Sequence, residues 1–146
     1  MPLEYRIDRE RRVVFATATR TLSDEDVFAY QREVWSHSDL AGYDEVVDLG
    51  LVEDLVLSSG DRVRALAELA SAMDAPGASS SKVAIVAPQD LAYGFARMFE
   101  TYRTMNQSGA KIVQVFRSMR AALGWLGVEG PDGPSGEGPR EPDASS

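Results

Sequence analysis

Leu3, Tyr5 and Ile7 alternate with Glu4, Arg6 and Asp8, a period of two that predicts a strand with one buried face. A polar turn, DRER (8–11), follows, and then RVVFATAT (12–19), rich in β-branched residues, predicts a second strand. The short link makes the two an antiparallel hairpin. TLSDEDVFAYQREVW then opens a helix. Ser23 stands at the N-cap with Asp26 at N3, a short-armed capping box, and Leu22 and Val27 take the staple positions on either side. Acids fill the first turn, where the helix dipole favours them. The helix is expected over 24–36, with Val27, Tyr30 and Val34 on its apolar face and Phe28 and Trp35 close to it.

EVVDL (45–49) predicts the third strand. Residues 58–74 hold a helix with Val63, Leu66, Ala70 and Met73 on one side. APGASS (75–80) breaks the pattern. KVAIVA (82–87) is almost wholly apolar, as a strand covered on both faces should be. Asp90 is placed to cap a helix in which Leu91, Phe95, Met98, Phe99 and Tyr102 recur at helical spacing. KIVQVF (111–116) is the last strand, and Ser118 caps a short helix that turns Met119, Ala122, Leu123 and Leu126 inward. The order is β-β-α-β-α-β-α-β-α. Strands separated by helices should run parallel with right-handed crossovers. The expectation is an α/β domain on a mixed five-stranded sheet, the hairpin strand antiparallel at one edge.

Composition divides the chain of 146 residues in two. From 129 onward it reads EGPDGPSGEGPREPDASS, with alanine its only apolar residue, so a disordered Gly/Pro/acidic tail is expected over 129–146. The folded domain is expected over 1–128. The net charge is −8, and no basic stripe interrupts it, which argues against nucleic acid as a partner. RERR (9–12) mixes signs and suits a solvated turn. With no cysteine and one histidine, His37, the chain cannot build thiolate or multi-histidine metal sites. The start, MPLEYRIDRERR, has no apolar core of a signal peptide, and no apolar run approaches a membrane-spanning length. A cytoplasmic protein without a transmembrane segment is the expectation.

Several segments together carry a family resemblance: EYRID (4–8), YDEVVDL (43–49), KVAIVAPQDLAYGFARMFE (82–100) and VFRSMRAALGWLG (115–127). On these the chain resembles the SpoIIAA-like family of small bacterial proteins, related to STAS-type anti-anti-sigma factors and to SEC14-like lipid-binding folds. The resemblance covers most of 1–128 and implies a shape rather than a chemistry. It also draws attention to LVLSSG (55–60). In anti-anti-sigma factors a serine-glycine motif opens the helix after this strand, and a partner kinase phosphorylates the serine. Ser58 and Ser59 fall close to that place. A phosphate there would meet free backbone N–H groups and the positive end of the helix dipole. Leu57 and Asp61 depart from the usual motif, and the plain reading is a helix cap.

Other candidates are weaker. Asp48, Glu53 and Asp54 sit at and beyond a strand end, where three acids can hold a magnesium ion, yet the favoured reading is a solvated loop whose acids cap and solubilise. His37 has Ser36 and Asp39 beside it in sequence, which makes no triad, and it suits the C-terminal end of a helix dipole. Tyr93, Phe95, Met98, Phe99, Tyr102 and Met105 are more than one helix face buries. At helical spacing most are core, which is the plain reading; any excess would line an apolar pocket or form a self-association face, with Gly94 allowing close approach. Two readings follow. The first is a non-enzymatic regulatory or adaptor module acting through protein contacts, a homodimer included. The alternative is a carrier of an apolar or lipid-like ligand. No catalytic residue, metal or cofactor is expected from the sequence.

Overall fold

A computed structural model describes residues 3–57, 59–74, 81–106 and 111–128. The tail expected over 129–146, and Ser58, lie outside the described residues. The elements run β1 (Leu3–Asp8), β2 (Val13–Ser23), α1 (Asp24–Trp35), β3 (Asp44–Val56), α2 (Gly60–Met73), β4 (Lys82–Val86), α3 (Asp90–Met105), β5 (Ile112–Phe116) and α4 (Met119–Leu126). A single turn of 3₁₀ helix, Ser38–Leu40, links α1 to β3.

The five strands form one sheet in the order β1-β2-β3-β4-β5. β1 pairs with β2 antiparallel, and every later pair is parallel. This is the mixed sheet that the element order predicts, with the antiparallel strand at one edge. Three crossovers of one hand between adjacent strands place three helices on the same face. Strand parity bears this out, because alternate residues point to opposite faces. Val14, Ala16 and Ala18 pack with Tyr30 and Val34 of α1, and Val83 and Ile85 pack with Ala92 and Ala96 of α3. Their neighbours Val13, Phe15, Val46, Ala84 and Val86 face the other way, onto Ala122 and Leu123 of α4. β4 is therefore covered on both sides, which is why it reads as an unbroken apolar run.

The helix starts follow their caps. The Ser23 and Asp26 backbone N–H groups each donate to the other residue's side chain, at 3.0 and 3.2 Å, which completes the capping box of α1. The Ser118 hydroxyl accepts from the Ala121 N–H at 3.1 Å. At α3 the expectation fails: Gln89 is the N-cap, and Asp90 lies inside the first turn. Its carboxylate instead meets Arg117 at 2.8 Å, an exposed ion pair.

Two further departures shape the site. β2 and β3 run to Ser23 and Val56, well past the expected 19 and 49, with register shifts between Thr17 and Thr19 and between Arg20 and Thr21. β4 stops opposite Asp48, so the far half of β3 pairs with β2 alone. α3 is also rotated from the expected face. Ala92, Ala96 and Arg103 are its buried residues, while Leu91 is 62% exposed. Small side chains let α3 lie close on the sheet, and the larger ones at Phe95, Met98 and Tyr102 are left half-buried along its flank.

Candidate functional site: an apolar cavity with a polar end

α2 packs on α1 and α3 rather than down onto the strands. Beneath it lies a cavity of about 120 Å³, bounded by Val63, Leu66 and Ala70 of α2, Val47 and Leu49 of β3, and Val83 and Ile85 of β4. α3 closes one flank with Ala96, Phe95 and Phe99. α1 closes the other with Val27, Tyr30 and Trp35. A cavity of comparable size lined by aliphatic and aromatic groups stays dry and takes a benzene-sized molecule.

One end of this cavity is polar. It lies where α1, α2 and α3 finish and β3 and β5 begin. Tyr30 donates to the buried Glu45 carboxylate at 2.6 Å. Burial, and then the charge and hydrogen bond of Glu45, push the Tyr30 phenol well above its ordinary pKa. Asp74, just past the end of α2, holds Arg103 in a two-pronged pair at 3.0 and 3.3 Å, with both side chains 4% exposed. Arg103 also donates to the Ser71 hydroxyl at 2.8 Å, while its Nε makes no hydrogen bond among the described residues. Asp74 further accepts from the Lys111 backbone N–H at 3.2 Å.

The Lys111 side chain turns into the cavity and sets its ammonium 3.2 Å from the centre of the Trp35 ring. An indole face attracts a cation, the more so when water is excluded. Burial lowers the Lys111 pKa, against the opposing pull of Glu45 and Asp74 and with a further push from Arg103. The opposite end of the cavity is bordered by another charged contact. Arg62 of α2 reaches Asp24 at 3.0 Å and Glu25 at 3.1 Å and lies over the Phe28 ring at 4.4 Å.

Of the residues singled out from sequence, the structure brings Phe95 and Phe99 to the cavity wall. Tyr93, Met98 and Tyr102 are not among its lining. Tyr93 lies instead under Arg117, whose guanidinium is 3.9 Å from its ring centre. Met98 turns toward the start of α2, where its methyl lies 3.2 Å from where a Cβ on Gly60 would stand. Gly94 faces open space, with no neighbour within 4 Å of a Cβ placed there.

Ser59 is the N-cap of α2 and is exposed, yet its side chain makes no capping bond. The three-acid candidate does not assemble a metal site: among the described residues no group of three or more His, Asp or Glu could hold an ion. Asp48 lies inside β3 and accepts from the Gly50 N–H at 2.9 Å, a local brace within the strand. His37 Nδ1 lies 3.2 Å from the Val34 carbonyl oxygen at the end of α1. Among the described residues no helix is long and apolar enough to cross a membrane.

The polar end escaped sequence reading. Tyr30, Glu45, Asp74, Arg103 and Lys111 come from five separate segments with no shared spacing. One signal was present. Glu45 has the same strand parity as Val47 and Leu49, so it had to point into the helix-covered face, where a lone carboxylate needs partners.

The fold and the cavity define an α/β domain with a single mixed sheet and a partly open, mainly apolar pocket beneath its middle helix. No protein-family profile matches the chain. No curated protein matches it either. Among solved structures it is similar to an uncharacterized protein of the DUF3478 family, with a SpoIIAA-like fold, from Shewanella loihica PV-4. The two share 21% identity over 85% of this chain and 93% of that one, with a TM-score of 0.49.

Proposed function

We propose that the protein is a non-enzymatic binding module that holds a small apolar ligand in the chamber between α2 and the sheet. The observation that carries this reading is the chamber itself. The pocket offers about 120 Å³ of space, walled mainly by apolar side chains and open on one side to solvent. Removing apolar surface from water is favourable by about 25 cal/mol per Å². A pocket walled by Leu66, Val47, Ile85, Phe95 and Phe99 gains this when an apolar group enters. Its size suits a single aromatic ring or a short branched chain rather than a long-chain lipid.

Thermal unfolding with and without toluene tests the reading. A ligand that binds only the folded state stabilises it by about 2.7 kcal/mol at a hundred times its Kd. The melting temperature should rise with toluene concentration and level off. A flat response, or a fall at every concentration, would remove the chamber as a binding site.

A second reading concerns the start of α2. Ser59 is exposed and its hydroxyl is not engaged as a cap, which leaves it accessible to a kinase. A phosphate there would lie near the free N–H groups that open α2, and would compete with Asp24 and Glu25 for Arg62. In that reading the module is a regulatory adaptor whose protein contacts change on modification, at Ser59 or at its neighbour Ser58. The outer side of α3, with Leu91 and Met105 exposed, is the surface for a protein partner or a second copy. Phosphopeptide mapping of protein from its native host decides the matter: a phosphate on Ser58 or Ser59 supports it, and unmodified peptides covering both serines count against it.

A further inference from the structure

We propose that the chamber is a carbonyl site, in which a small neutral aldehyde or ketone points its oxygen at Lys111 and an aldehyde is captured there as an imine. The inference rests on the binding reading above and adds the chemistry of the ligand.

Three observations lead to it. The Lys111 ammonium lies inside the chamber against the Trp35 ring, and among the described residues its Nζ has no hydrogen-bond acceptor. Its Nζ still reaches solvent, and a carbonyl oxygen entering the chamber would take the place of water as its acceptor. Second, the charges around it lean acidic. Glu45, Asp74 and Asp44 act on Lys111 from one sign and Arg103 from the other. These three acids outnumber Lys111 and Arg103, so an anionic headgroup gains little, whereas a neutral carbonyl oxygen accepts without adding charge. Third, the apolar remainder of the chamber has room for about one ring beyond that oxygen.

The covalent step needs no further reagent. The free amine of Lys111 attacks the carbonyl carbon, and the C=O π pair moves to oxygen, which takes up a proton. The resulting carbinolamine loses its hydroxyl as water, leaving C=N. The net change is one amine and one aldehyde to one imine and one water. Desolvation favours the uncharged, nucleophilic form of a lysine held in an apolar pocket, which is the direction in which burial shifts Lys111. The Tyr30–Glu45 pair at the same end of the chamber is a place for the proton to reside.

The chain carries its own control. It has only two lysines among its 15 basic residues. The other, Lys82, donates to the Trp125 carbonyl at 3.3 Å beside α4 and is not part of the chamber lining. The test is reductive trapping: the full chain is treated with benzaldehyde and cyanoborohydride at neutral pH, and benzyl groups are mapped by peptide mass. The expected result is a benzyl group on Lys111 at about tenfold or more the level on Lys82, because only Lys111 stands in the apolar chamber. Toluene should suppress it, Lys111→Met should abolish it, and Lys82→Arg should leave it intact. Benzyl groups confined to Lys82 and the chain terminus, with toluene still raising the melting temperature, would overturn the carbonyl site and spare the binding reading. The same labelling with no effect of toluene on melting would overturn both.

Discussion

Replacing Asp74 with alanine should be among the most damaging single changes in the domain, and the reason lies in burial rather than in distance. Two ion pairs in the protein have nearly equal separations. Arg9 meets Asp39 at 2.9 Å with both side chains 58% exposed, and Arg103 meets Asp74 at 3.0 Å with both 4% exposed. Exposed pairs contribute about 0–1 kcal/mol, because water screens them and two long side chains must be held still. Removing one partner of a buried pair costs about 3–5 kcal/mol, since the other charge stays behind without compensation. Asp74 also accepts from the Lys111 N–H, so its loss strands two guanidinium donors and a backbone donor together. For a domain of this size 1 kcal/mol corresponds to a few degrees, so Asp74→Ala should lower the melting temperature by roughly 10–20 °C. Asp39→Ala should lower it by about 3 °C or less. Replacing both members, Asp74→Leu with Arg103→Met, should recover much of the loss, because an apolar pair leaves no stranded charge. Thermal unfolding followed by circular dichroism gives all these values. Equal, small effects of Asp74→Ala and Asp39→Ala would refute the burial argument.

Further outcomes follow from the same geometry. Tyr30→Phe removes the hydrogen bond to Glu45 and should cost about 1.5–3 kcal/mol at neutral pH, read from the urea midpoint. An unfolded tyrosine ionises near pH 10 while the folded Tyr30 ionises well above it. Between the two values only the unfolded chain releases this proton, so rising pH favours unfolding. The wild type should lose stability above about pH 10 more steeply than Tyr30→Phe does. Ser118→Ala should cost about 1 kcal/mol by losing a working cap, whereas Ser59→Ala, at a helix start without a side-chain cap, should stay within about 0.5 kcal/mol. Ala96→Val places two methyl groups at the chamber wall. It should cost about 1–3 kcal/mol by crowding the close contact of α3 with the sheet, and weaken toluene's stabilising effect measured relative to the variant's own baseline.

Much of the fold was legible in the chain because its signals are local. The Ser23–Asp26 box and the Ser118 cap each act within a few residues, and the structure realises both; β1 forms where the alternation predicts a strand, but of its apolar positions only Leu3 is fully buried and Tyr5 is 37% exposed. The far half of β3 was not legible. Its apolar residues are broken by Gly50, Glu53 and Asp54, and it is a strand only because β2 continues beside it. The orientation of α3 was misread for a related reason. Helical spacing favours the largest side chains as the buried face, but contact with a doubly covered sheet selects the alanines at 92 and 96. The chamber depends on α2 resting on its neighbouring helices, a property of packing that no window of sequence contains. Phe95 and Phe99 were legible as candidates because the helix carries more aromatic surface than one face can bury. Lys111 and Glu45 were not, because each becomes distinctive only when the other is beside it.

The most direct test of the central claim is a toluene titration followed by carbon-13 methyl NMR. The chamber reading predicts saturable shifts at Leu66, Val63, Val83 and Ile85, which line the cavity, and none at Val86 and Leu123 on the opposite face of the sheet. Shifts that never saturate, or that appear equally on both faces, would contradict it.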